Sequence, residues 1–278
     1  TYWNALKADA QSKVNDPGTD PVTWYETREA EYAWALAFCY AVDPTLTTFA
    51  ARARDVAIHL ASLAYSSSQS ARQWPLAMAG VYTLAFQFLS TAERSTLRSS
   101  IASHVLNRYL VNPAEKLWGT SIGDTNIALQ SILSILSDGS SSENTLWASQ
   151  VDYMLDQQDP GASQTGFLSA LRYFGDTDGG LDKGCAPLGY DRSKEQFYTR
   201  LLPALWSAIG VNWYLTEQWW RKFMRWKLAL WRPDRSFFKK GENMGSSPYH
   251  RDTLVHAIQT AALENNTYGQ HCAWLEGE

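Results

Sequence analysis

The chain has 278 residues, 45% of them hydrophobic, enough for one large domain or two ordinary ones around a substantial core. Its 24 Lys and Arg against 28 Asp and Glu leave a formal charge of −4, which argues against a general nucleic-acid-binding role. No apolar run reaches the roughly 18 residues of a membrane-spanning helix, and 3 cysteines without a CxxC spacing signal neither a complete disulfide framework nor a zinc site.

Cys39, Cys185 and Cys272 read instead as separate buried thiols. The sequence opens TYWNAL without an initiator Met or a signal peptide and closes LEGE, so it reads as a processed or trimmed chain. The Asn265-Asn266-Thr267 sequon matters only in a secreted eukaryotic protein. Trp and Tyr number 13 and 14 beside 10 Phe. Their apolar faces and polar handles suit surfaces that stack sugar rings or flat ligands, and bulky rings filling gaps between helices account for them equally well.

In chain order, EAEYAWALAFCYAV from Glu29 to Val42 is a dense apolar run of helical length. Ala50 to Tyr65 repeats the pattern, with Val56, Leu60 and Leu63 on one face. Trp74 to Leu89 predicts a third helix. Ser90 and Glu93 in STAE form a capping box that opens a fourth, whose Leu97, Ile101 and Val105 share a face. The pattern continues through 124–136, 144–156, 164–173, 193–208, 215–230 and 252–264, with Gly, Ser, Pro and Asp clusters interrupting it at 138–142, 159–162 and 175–189. About ten helices and no alternating strand run predict a single all-α domain over 1–278. Antiparallel helix hairpins with broad apolar faces close into an (α/α) toroid or stack as an open solenoid. The lack of a fixed repeat favours the toroid, here an incomplete one.

Three stretches stand out for chemistry. DGGLDKGCAPLGYDRSKEQFY, Asp178 to Tyr198, gathers Gly179, Gly180, Gly184 and Gly189 with Pro187 between two helical segments. Such a loop can hold Tyr190 over a cleft, with Asp191 and Arg192 beside it and Tyr198 more than a turn into the next helix; it can equally be a structural turn. LWGTSIGDTNIALQSIL, Leu117 to Leu133, sets a polar, glycine-bearing segment before an apolar helix. Asp124 or Thr125 is expected to cap that helix and Asn126 to sit in its first turn, with ordinary capping as the plainer account. RPDRSFFKKGENMGSSPYHRDTLVHAI, Arg232 to Ile258, carries a cationic loop with Tyr249 and His250, suited to an anionic ligand or simply solvated. His59 and His256 read as packing residues.

The order of these features resembles the α/α-toroid domain of the heparinase II/III-like and alginate-lyase-like polysaccharide lyases. YETREAEYAWALAFCYAV and QWPLAMAGVYTLAFQFLSTAERSTLRSSIASHV are similar to its successive helices. WGTSIGDTNIALQ looks like its Trp and Asn segment, DGGLDKGCAPLGYDRSKEQFYTRLLPALWSAIG like its Asp-Gly and Gly-Tyr loop and helix, and RPDRSFFKKGEN like the segment that closes the toroid. The resemblance spans roughly residues 25 to 262. It implies β-elimination on an acidic, uronate-containing polysaccharide or oligosaccharide, with no cofactor and no metal, by a secreted or periplasmic protein. In that family a β-sandwich domain follows the toroid, so the resemblance leaves two expectations: a fragment that lacks this domain, or a toroid used for another purpose.

Elimination needs a group to neutralise the substrate carboxylate, a base for the C5 proton and an acid for the departing oxygen. On the resemblance, Asn126 neutralises, Tyr190 is base, acid or both, and His250 completes the catalytic set. Trp118, Asp124, Asp178, Lys183, Arg192 and Tyr198 then line the substrate site. Three other readings stand beside this one. They are a toroid glycoside hydrolase using two of Asp124, Asp178 and Asp191, a toroid enzyme with an aromatic-lined pocket, Cys185 included, for a terpenoid-like molecule, and a glycan-binding protein without turnover.

Overall fold

A computed structural model of the chain describes residues 2–14, 25–64, 73–107, 120–155, 201–210, 212–217 and 222. Among them the regular structure is helical, with no strand, as the sequence predicts. Helix α1 runs Tyr2–Val14, α2 Tyr25–Val42, α3 Thr47–Ser62, α4 Trp74–Leu84, α5 Thr91–Val105, α6 Thr120–Ile135, α7 Ser141–Leu155, α8 Leu202–Ile209 and α9 Trp213–Thr216. The expected helices at 164–173 and 252–264, most of that at 215–230, and Cys185, Cys272 and His256 lie outside the described residues. None of the described helices is long and apolar enough to cross a membrane.

The chain divides into two compact units, one of Thr1–Pro113 with Ile127–Gln150, the other of Ala114–Asn126 with Val151–Glu278. In the first, α4 is the centre. Its sequence WPLAMAGVYTL has no charged residue, and Trp74, Pro75, Ala77, Met78, Ala79, Gly80, Val81 and Tyr82 are all buried. A helix apolar on every side has to be surrounded; α4 packs against α2, α3 and α5. Small side chains let the neighbours close in. Gly80 is the clearest case, since the Trp34 indole of α2 lies where a Cβ would stand.

Helix α3 buries Phe49, Ala50, Ala53, Val56, Ala57 and Leu60 along one stripe. Each large side chain so placed contributes on the order of 1.5–3 kcal/mol through removal from water. The helix stops at Ser62, so Leu63 falls beyond it, extended at φ −75° and ψ 139°, and only half-buried. His59, read from the sequence as a packing residue, is exposed instead. Cys39 on α2 is a free, fully buried thiol, as read from the sequence, and burial pushes its pKa up, with Lys7 pulling weakly the other way.

The predicted helix from Trp74 to Leu89 breaks at Ala85 and becomes a single 3-10 turn, Phe86–Phe88. Its two phenylalanines are clasped from several sides. Phe86 meets Tyr82 edge-on at 5.5 Å and carries the Arg94 guanidinium 4.4 Å above its ring. Phe88 meets Tyr40 at 5.8 Å and lies 5.6 Å from the Arg54 guanidinium. This anchored turn delivers Ser90, extended at φ −66° and ψ 161°, to cap α5. The capping box read from STAE forms in both directions: Ser90 N–H donates to Glu93 Oε2 at 2.7 Å, and Glu93 N–H to Ser90 Oγ at 3.3 Å. Leu97, Ile101 and Val105 are buried together, as their spacing predicts.

The 138–142 cluster is a turn with its own capping box, which starts α7 three residues before the expected 144. Ser140 N–H donates to Glu143 Oε2 at 2.8 Å and Glu143 N–H to Ser140 Oγ at 3.3 Å. The Asn144 amide holds Gly139 by both backbone groups, accepting from its N–H at 3.0 Å and donating to its carbonyl at 2.9 Å. Just past the end of α6, Ser137 takes the left-handed conformation, φ 75°, that glycine usually supplies.

In the second unit, α8 ends on such a glycine, Gly210 with φ 75°, whose N–H donates to the Trp206 carbonyl at 3.0 Å. Among the described residues of this unit, Val151, Met154, Leu155, Leu201, Leu202, Leu205 and Trp213 are the buried apolar side chains.

Candidate functional site

The Trp and Asn segment folds differently from the expectation. Residues Thr120 to Asn126 are helical, so Asp124 and Thr125 lie inside α6 rather than at its start. Asn126 is the seventh residue of that helix, about 9 Å along its axis from Thr120, and not in the first turn. Gly123 and Asp124 look like a helix stop and start, yet the apolar run from Ile127 to Ile135 extends its helix backward through them. Propensity is a weak prior, and one glycine costs only about 1 kcal/mol against such packing. The unfavourable helix formers here are outweighed.

Asn126 is buried, 3% exposed, and Ile127, Ala128 and Leu129 follow it into the interior. Further along α6, Ser131 turns its hydroxyl back to the Ile127 carbonyl at 2.6 Å, and Ser134 does the same to Ser131, so neither brings an unmet polar group inside. A buried amide has to be matched in the same way. The side chain of Asp124 falls outside the described residues, as do Trp118, Asp178, Lys183, Tyr190, Arg192, Tyr198 and His250 entirely. Among the nine residues singled out, Asn126 alone has its side chain described.

The sequence reading passed over two polar constellations in the first unit. The first is His104 with Trp74. Both are buried, 5% and 3% exposed, and their rings meet edge to face at 5.8 Å and 77°. Burial lowers the His104 pKa, so the imidazole stays neutral at ordinary pH. Trp74 Nε1–H is buried with no acceptor. A signal for His104 was available: with Leu97, Ile101 and Val105 it completes the 3-and-4 spacing of the buried face of α5.

The second is centred on Arg98 of α5. Its Nη1 donates to the hydroxyl of Tyr82, 2% exposed, and to Asp138 Oδ2, both at 3.3 Å. One guanidinium thus ties the core helix α4 to the turn beyond α6. Arg54 is spent likewise, on Asp55 at 2.7 Å and Glu93 at 3.6 Å. These contacts hold the fold, and they involve none of the residues expected at the substrate site. Among the described residues no group of three or more His, Cys, Asp or Glu is placed to hold a metal ion.

The chain matches no protein-family model and no curated protein.

Proposed function

We propose that the protein acts on a uronate-containing polysaccharide by β-elimination, on an incomplete (α/α) toroid. The observation that carries this reading is the order of the segments along the chain, from YETREAEYAWALAFCYAV through WGTSIGDTNIALQ to the Gly-Tyr loop and RPDRSFFKKGEN. The helical character of the described residues supports it.

In this reading the Asn126 amide hydrogen-bonds the substrate carboxylate and spreads the negative charge that builds there as the C5 proton leaves. Tyr190, as phenolate, takes that proton. The electron pair forms the C4–C5 double bond, the C4–O bond breaks, and the departing oxygen takes a proton from the tyrosine or from His250. Lys183 and Arg192 hold the acidic sugars, Trp118 and Tyr198 offer faces to their rings, and Asp124 and Asp178 bind hydroxyls. Because Asn126 stands two turns into α6, its amide works without the positive end of the helix dipole, which fades within the first turn.

The test is ultraviolet absorbance of the unsaturated uronate during incubation with a panel of acidic polysaccharides. The expected result is a rise that Tyr190→Phe abolishes and Asn126→Ala reduces by at least tenfold, both variants keeping the parent's helical circular dichroism. Cleavage of a neutral glycan without that absorbance would overturn the proposal in favour of hydrolysis.

A further inference from the structure

We draw no further inference here: the strongest candidate, the exposed apolar stripe of Trp34, Phe38 and Val42 along one face of α2, carries nothing because nothing in the structure shows what covers it.

Discussion

Gly80→Ala tests the packing at the centre of the first unit, because two effects of opposite sign meet there. Alanine is better than glycine inside a helix by about 1 kcal/mol, so at an indifferent position the change would stabilise α4. At Gly80 the new methyl would overlap Trp34 Cδ1 and Nε1 and come within 2.7 Å of Cγ, so the indole has to leave. Trp34 is 40% exposed, which leaves the larger part of its surface covered. Taking on the order of 120 Å² of apolar area at 25 cal/mol per Å², its displacement costs about 3 kcal/mol as an upper estimate. The net expectation is destabilisation by about 2 kcal/mol.

Urea unfolding followed by helical circular dichroism reads this out, and a double-mutant cycle isolates it. In a Trp34→Ala background the methyl has room, and Gly80→Ala should then stabilise by about 1 kcal/mol. A reversal of sign between the two backgrounds is the specific expectation. Stabilisation of the parent, or equal destabilisation in both backgrounds, would refute the reasoning.

Four further outcomes follow from the same structure. Gly139→Ala should lower the urea midpoint, because its methyl would stand 2.6 Å from Trp147 Cη2 and Cζ3, and Trp147 is buried at 2% exposure and has no room to retreat. Ser90→Ala should cost about 1 kcal/mol through loss of the α5 cap; Ser140→Ala should act in the same direction on α7, and thermal midpoints of the two single variants check both. Hydrogen bonds from Ser90 and Ser140, side chain first and backbone N–H next, hold the Glu93 and Glu143 carboxyls below their ordinary range. Their contribution is therefore present above about pH 4.3 and lost as pH falls through the lowered values, so Glu93→Gln with Glu143→Gln should flatten the acid limb of the stability profile. His104 gives a separate window: its folded pKa is depressed by burial, so below about pH 6.5 the unfolded chain binds a proton that the folded chain refuses. Stability should fall from there downward, and His104→Phe should remove that part of the slope.

The helices α2 to α5 were legible because each has a dense apolar face and, in α5, a complete capping signal within four residues. Other elements were harder for reasons that can be named. Helix α1, Tyr2–Val14, mixes Lys7, Asp9 and Gln11 with few apolar residues and buries chiefly Ala10, so its period is faint. The end of α4 at Leu84 is fixed by rings and guanidinium groups from residues 40 to 94, a tertiary cause invisible in WPLAMAGVYTLAFQFLS itself. The second capping box escaped notice because Ser140 stands among serines, where composition suggests a loop. At the candidate site, residue types suggested chemistry, but Asn126 was misplaced by about one and a half helical turns: Gly123 and Asp124 carry the local marks of a boundary that packing overrides.

The first unit is discontinuous in sequence, since Ile127–Gln150 belongs to it although thirteen other residues, Ala114–Asn126, intervene. During synthesis at roughly 5–20 residues per second, α1 to α5 can assemble from near neighbours as they emerge, but the unit lacks its last helical segments until Gln150 has been made. For those seconds the ribosome carries a nascent intermediate. Chains released after any residue from Val105 to Gln150 should therefore be bound by chaperones and clipped by proteases, whereas a released chain that ends after Leu155 should have the first unit protected.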